Sequence, residues 1–196
     1  MAYIKPKNIQ LIAKLQDLSK SYYTISDLEK ILGLKRESLY VALNRLVKSG
    51  LLVRLRKNVY TLFTEDINYE KIANELYFPS YLSFETGLAR YGILSQIPYT
   101  ISFATTRSSR KITLGEVEVE YRHLKRDLFF GYNLKHGKYI ATPEKALLDE
   151  VYFVSRGKAK VNLDELDLSE IDENLLEEYT KEYPDYTKNL LLKIGK

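Results

Sequence analysis

The sequence predicts an α+β protein of two domains, and three observations predict it. Apolar residues recur at helical spacing in three consecutive segments before residue 50. Two short segments rich in β-branched and apolar residues follow at once. After residue 100, β-type segments give way to helical ones, which predicts a mixed α/β C-terminal domain with an antiparallel sheet and a helical tail.

The positive charge of the chain is concentrated at its N-terminal end. The 196 residues carry a formal net charge of +4, but residues 1–63 hold 12 Lys and Arg against 4 Asp and Glu, whereas the remainder holds 18 against 22. A basic segment of this kind favours contact with a polyanion. We therefore predict an N-terminal domain over residues 1–63, a polar linker over 64–68 and a second domain over 69–196.

Composition excludes several kinds of site. The chain has no cysteine, so it forms no disulfide, thiolate metal site or thiol nucleophile. No stretch approaches the roughly 18 apolar residues of a membrane span, and Met1–Lys7 lacks the apolar region of a signal peptide. We expect a cytoplasmic protein without a membrane partner.

Three predicted helices begin the N-terminal domain. The first covers residues 7–19 and includes Ile9. Ser26 is the predicted N-cap of the second helix, which Gly33 ends. After a short turn, residues 36–49 form the third helix, typical of a helix-turn-helix. The apolar side of this third helix carries Leu39, Ala42, Leu43 and Leu46.

Two predicted strands and a basic turn follow the third helix. Gly50 supplies the left-handed residue that ends the helix, and residues 51–55 and 59–63 are expected to pair. Asn58 tolerates the positive φ of the tight turn between them. Three helices and a two-stranded hairpin make a winged helix-turn-helix, and its basic turn favours DNA binding over protein contact alone.

The third helix and the hairpin supply the predicted DNA contacts. Arg36 and Asn44 are the predicted base readers, because Arg donates twice to guanine and Asn pairs with adenine. Lys35 stands at the N-cap, where it cannot accept the free backbone N–H groups, so we expect the first turn to order on DNA. The full predicted set, with its phosphate anchors, is Arg36, Ser38, Tyr40, Asn44, Arg45, Lys48, Arg54, Arg56 and Lys57.

The second domain combines helical and β-type segments. Residues 69–76 are predicted to form a helix, Ser83 to cap the next one, and Thr142 with Pro143 to open a third. Residues 162–196 are helical and acidic, with 10 Asp and Glu against 4 Lys and Arg. The predicted strands are 100–105, 111–114, 117–122 and the segment around 129–132.

Four blocks of the second domain resemble one known family. They are Tyr81-Leu-Ser-Phe-Glu-Thr-Gly-Leu-Ala-Arg-Tyr-Gly92, Thr105-Thr-Arg107, Val119-Glu-Tyr-Arg-His-Leu124 and Tyr139-Ile-Ala-Thr-Pro-Glu-Lys-Ala-Leu-Leu-Asp149. These blocks are similar to the AbiEi family of abortive-infection antitoxins, and the resemblance covers nearly the whole chain. Asn58 departs from it, since relatives often carry glycine in the wing.

The resemblance implies the antitoxin of a type IV toxin-antitoxin system. It implies an N-terminal domain that represses its own operon by binding inverted repeats in double-stranded operator DNA. It also implies a C-terminal domain that counters a nucleotidyltransferase-like toxin without requiring a stable complex. A ligand-sensing winged-helix transcription regulator without a toxin partner is the alternative that the residues leave open.

The residues of the second domain argue against catalysis. No Asp or Glu is followed two residues later by Lys, the spacing that a metal-dependent nuclease core needs. His123 and His136 lack metal-ligand spacing, and no glycine-rich phosphate loop is present. Glu116, Glu118 and Glu120 alternate as on a solvated strand face. We expect a protein that is not an enzyme and uses neither metal nor cofactor.

A second basic cluster lies around the predicted sheet. We expect it to form a surface that carries antitoxin activity and suits RNA, a nucleotide or an acidic protein face. The alternative is that these charges protect strand edges from pairing. The cluster consists of Arg107, Arg110, Lys111, Arg122, Lys125 and Arg126.

Overall fold

A computed structural model describes residues 6–194 of the chain, and side chains from residue 10 onward. The predicted domain ends at Met1 and Lys196, and the side chain of Ile9, lie outside the described residues. The chain divides into two compact units after Ile72, and Thr113–Glu116 belongs to the first unit. The narrower domain limits drawn from the sequence stay a prediction.

The first unit contains three helices and a three-stranded antiparallel sheet of order β1-β3-β2. This order of elements fits the predicted winged helix-turn-helix, and the α+β class of the chain is confirmed. The elements are α1 (Pro6–Asp17), β1 (Tyr23–Thr24), α2 (Ile25–Leu32), α3 (Arg36–Lys48), β2 (Leu52–Arg56) and β3 (Val59–Leu62).

A capping box fixes the start of α2. The Thr24 hydroxyl accepts the Asp27 N–H at 3.2 Å, and the Asp27 carboxylate accepts the Thr24 N–H at 2.9 Å. Burial raises the pKa of Asp27, but hydrogen bonds from Lys20 and Thr24 outweigh it and hold the pKa at about 2. The predicted cap at Ser26 was wrong, because Ser26 lies inside the first turn and is exposed.

Leucines on the inner sides of the three helices form the core of the first unit. Leu28, Leu39 and Leu43 are almost completely buried, and Tyr23 closes this core with its hydroxyl on the Leu15 carbonyl. The two predicted positive-φ positions, Gly50 (71°) and Asn58 (65°), are confirmed, and Gly33, the predicted end of α2, is also left-handed (62°).

The second unit is built on a six-stranded sheet of order β6-β7-β5-β4-β9-β8. A helix, α4 (Tyr69–Leu76), crosses the division between the units. The elements after it are β4 (Ser80–Leu82), α5 (Phe84–Arg90), β5 (Thr100–Thr105), β6 (Arg110–Leu114), β7 (Val117–His123), β8 (Tyr132–Lys135), β9 (Lys138–Ala141), α6 (Pro143–Ser155), α7 (Glu173–Thr180) and α8 (Asp185–Leu191).

The sheet is mixed rather than antiparallel as predicted. The pairs β4–β5 and β8–β9 are antiparallel, whereas β5–β7 and β4–β9 are parallel. The segment around 129–132 is also placed differently, since its strand begins at Tyr132. Side-chain patterns mark strands but not their neighbours, and here β7 instead of β6 lies beside β5.

Helix α6 forms the centre of the second unit. Thr142 caps it through the Lys145 N–H and Pro143 occupies its first turn, as predicted. Its residues from Glu144 to Phe153 are all buried, between the core around Tyr81 and the helices α7 and α8. The acidic tail therefore covers this helix with its apolar side chains.

We expect Thr24→Ala to destabilise the start of α2 by about 1 kcal/mol, because the Asp27 N–H loses its acceptor. Amide hydrogen exchange in α2 of the full-length chain should accelerate about fivefold. Ser26→Ala is the matched control, and its exchange should be unchanged. Equal acceleration in both variants would contradict the assignment of the cap to Thr24.

Candidate nucleic-acid interface

Helix α3 separates a buried apolar side from an exposed polar side. Leu39, Leu43 and Leu46 are 0%, 1% and 7% exposed, so they hold the helix in the core. Every predicted contact residue of α3 is exposed. These residues are Arg36, Ser38, Tyr40, Asn44, Arg45 and Lys48.

The hairpin β2–β3 presents the remaining predicted cations. The strand register shifts between Arg54 and Arg56, and Leu55 between them is buried. Arg54 and Lys57 are exposed, and Arg56 is partly exposed. Asn58 closes the turn at φ 65°. The irregular register thus keeps three cations at the tip of one hairpin.

No acidic partner neutralises the cations of α3 and the hairpin within residues 10–194. These cations are Arg36, Arg45, Lys48, Arg54, Arg56 and Lys57. At the start of α3, Lys35 adopts extended backbone (φ −65°, ψ 151°) and makes no side-chain cap, as predicted. Uncapped N–H groups and the positive end of the helix both favour a nearby anion.

A second exposed basic cluster lies at one end of the sheet in the second unit. Arg107 and Arg110 both face the Tyr77 ring, with their guanidinium carbons 4.1 and 5.9 Å from its centre. Arg107 also donates to the Phe78 carbonyl at 3.3 Å. Among the described residues, neither arginine has a carboxylate partner. Two guanidinium groups are therefore kept close together without a counter-charge.

The loop between β5 and β6 is anchored on both sides. The Tyr77 hydroxyl donates to the Ser108 carbonyl at 2.9 Å, and the His123 ring lies 2.9 Å from the Arg107 carbonyl. Since His123 ends β7, the exposed Lys125 and Arg126 leave the sheet at the same end as Arg107. The structure thus brings four of the six predicted surface cations to one end of the sheet.

Arg122 was placed wrongly on this surface. Only 13% of its side chain is exposed, and it binds Glu85 at 2.9 Å and Glu120 at 3.0 Å. Lys111 is exposed but pairs with Glu120 at 3.2 Å, so its charge is balanced. Sequence reasoning counted both as free cations, because nothing in the linear order shows that α5 brings Glu85 beside β7.

Glu150 of α6 completes the Arg122 cluster. It is fully buried, and Arg122 Nη1 lies 3.5 Å from its Oε2. Neither oxygen of Glu150 has a hydrogen-bond partner among the described residues. Burial raises the pKa of Glu150 to about 8, Glu85 adds to the rise, and Arg122 opposes it. The carboxyl group is thus largely protonated below that pH.

A network of buried polar side chains around Asp149 was not predicted from the sequence. Asp149 accepts hydrogen bonds from Tyr81 at 2.9 Å, Ser83 at 2.8 Å and Tyr183 at 2.8 Å, and Lys145 donates to it as well. Ser83 stands at the N-cap of α5 but makes no capping bond, which corrects its predicted role. Lys and Asp four residues apart in an apolar helix were the available signal.

The side chains of this network are buried, and burial shifts the pKa values of several of them. Lys145 and Asp149 are completely buried. Burial raises the pKa of Tyr81 and of Tyr183 well above the ordinary tyrosine value, and burial lowers the pKa of Lys145 although Asp149 opposes it.

Residues 6–194 hold no group of three or more acidic or histidine side chains placed to bind a metal ion. None of the helices in the same range is long and apolar enough to cross a membrane. Glu118 and Glu120 lie on β7, whereas Glu116 precedes it. Glu116 therefore lies outside the strand that was predicted to carry all three carboxylates.

The N-terminal part of the chain matches a known protein family. Residues 10–62 match the model of a family described as "Transcriptional regulator, AbiEi antitoxin". The matched range runs from α1 to β3 and contains every predicted DNA-contact residue. The four blocks that carry the sequence resemblance lie beyond it, between residues 81 and 149. A search of curated proteins gave no match.

The raised pKa of Glu150 predicts a stability that falls with pH. A raised folded-state pKa stabilises the protein below the unfolded pKa of 4.5, and this contribution is lost as pH rises to about 8. The loss is on the order of a few kcal/mol. Glu150→Gln should flatten urea-denaturation stability between pH 5 and 8, and Glu116→Gln should leave the slope unchanged. A slope that persists in Glu150→Gln assigns it to other groups.

Proposed function

We propose that this chain represses transcription by binding double-stranded promoter DNA, because residues 10–62 match a family described as transcriptional regulators and AbiEi antitoxins. The observation that carries the proposal is the set of exposed cations on α3 and the hairpin, which have no acidic partner within residues 10–194. Like charges gathered without a counter-charge favour a polyanionic ligand.

Helix α3 is the proposed recognition helix. An α-helix fits the major groove of B-DNA, where each base pair presents a distinct pattern of donors and acceptors. Arg36 and Asn44 are the proposed base readers, and Ser38, Tyr40 and Arg45 contact bases or phosphates beside them. The buried leucines of α3 hold this face rigid, because they anchor the opposite side in the core.

The hairpin is the proposed phosphate anchor. Arg54, Arg56 and Lys57 place three positive charges at its tip, and Lys48 adds a fourth near the end of α3. Phosphate contacts fix register and orientation but carry no sequence information. Binding through them releases counterions, so affinity falls steeply with salt.

The resemblance of the second domain to antitoxins supports a more specific function. We propose that the chain is a cytoplasmic antitoxin that represses its own operon at inverted repeats. Its C-terminal domain counters a nucleotidyltransferase-like toxin without catalysis or a cofactor, and this action does not require a stable complex. Co-expression of the chain with the neighbouring gene tests this role, since growth rescue supports an antitoxin. If an unrelated repressor restores growth and this chain does not, the result favours the alternative that the chain is a regulator without a toxin partner.

The basic cluster at the end of the sheet is the proposed antitoxin surface. The members that have no carboxylate partner within residues 10–194 are Arg107, Arg110, Lys125 and Arg126. The Tyr77 ring fixes two of these side chains, so less entropy is lost when they bind an anion. Lys111 lies beside them with its charge balanced by Glu120.

Substitutions should separate base readers from phosphate anchors. We expect Arg36→Ala and Asn44→Ala to cost about 1 to 3 kcal/mol on promoter DNA and little on random DNA. Lys57→Ala and Arg56→Ala should weaken both DNAs alike and lower the slope of log affinity against log salt by about 1. Fluorescence titrations of the full-length chain at several salt concentrations measure both effects. Equal losses on both DNAs for all four variants would place the recognition helix elsewhere.

Charge reversal should test the antitoxin surface. We expect Arg107→Glu combined with Arg110→Glu to abolish growth rescue, since the reversed charges repel an anionic or acidic partner. Lys158→Glu with Lys160→Glu is the matched control, because it reverses two exposed cations elsewhere in the second unit. All variants must retain the wild-type melting temperature. Full rescue combined with weaker promoter binding assigns the surface to DNA instead.

A further inference from the structure

One aliphatic side chain stands on the outward side of α3. Val41 is 51% exposed. Helical spacing places it one turn from Ser38 and Asn44, and also one turn from Glu37 and Arg45, all of which are exposed. Val41 therefore occupies the middle of the face that α3 offers to DNA.

The residue type is unfavourable for the helix at this position. Valine is stiff at χ1 and forms helices less readily than alanine, and at half exposure it recovers little by burial. Single exposed aliphatic residues are common on protein surfaces, so exposure alone carries no conclusion. What distinguishes Val41 is its surroundings, since hydrogen-bonding or charged side chains flank it on both adjacent turns.

The floor of the major groove offers one apolar group, the 5-methyl of thymine. A helix whose polar residues reach base edges and phosphates brings its central aliphatic residue to that floor. We infer that the side chain of Val41 contacts the 5-methyl group of thymine and that Val41 is therefore a specificity-determining residue. The inference rests on the proposed binding of DNA by α3.

Removing the methyl group from the DNA tests the contact directly. Promoter DNA is prepared with thymine or with deoxyuridine, which lacks only the 5-methyl group, and the full-length chain is titrated with each. We expect the wild type to bind the thymine DNA about threefold to tenfold more tightly, as burial of one methyl group allows. Val41→Ala removes both γ-methyl groups and should reduce this ratio to about one. Val41→Thr keeps one γ-methyl group and should retain part of the preference for thymine DNA.

Two controls separate recognition from folding and from general affinity. Val41→Ala should melt at the wild-type temperature or above it, because alanine is the better helix former at an exposed position. Lys48→Ala should weaken binding to both DNAs while the ratio between them stays at the wild-type value, as expected for a phosphate contact.

The possible results separate the role of Val41 from DNA binding by α3, on which that role depends. A wild-type protein that binds both DNAs equally, or a Val41→Ala variant that keeps the wild-type ratio, overturns the role of Val41 and leaves DNA binding by α3 standing. A wild-type protein that binds neither DNA at low salt overturns both.

Discussion

The side chain of Asp149 is completely buried, and several elements of the second unit supply the hydrogen-bond donors that it requires. Tyr81 and Ser83 donate to one oxygen, while Lys145 and Tyr183 donate to the other. A buried charge without such partners would cost several kcal/mol. The donors come from β4, from the start of α5, from α6 itself and from the segment before α8. A single group thereby ties the sheet, the central helix and the tail together.

The first unit is held together in a different way. The box that joins Thr24 and Asp27 spans only three residues, although the Thr61 hydroxyl also donates to the Ser21 carbonyl 40 residues away. The long-range order of this unit comes from apolar packing, with Leu28, Leu39 and Leu43 meeting in one core. Local signals of this kind are visible in a sequence, and for this reason the ends of the three helices and of the hairpin strands were predicted to within about two residues, whereas strand β1 was not predicted.

The second unit could be predicted less well, for a physical reason. Strand propensity and helix caps are local, so most of its elements were found, including the start of α6 at Pro143. Strand order depends on contacts between distant segments, and the parallel pairs were missed. The same limit explains Arg122, whose partners Glu85 and Glu150 lie 37 and 28 residues away in the chain. Exposed groups such as those of α3 needed only helical periodicity to be placed.

The clean division of α3 between buried leucines and exposed polar residues has a consequence for divergence. Substitutions at exposed positions away from caps and partners change stability by only about 0.5 kcal/mol, whereas changes in the leucine core cost several times more. The outward face of α3 is therefore free to vary while the fold is kept. Two descendants of such a chain within one genome could acquire separate target sites through a few substitutions and cease to regulate each other's genes.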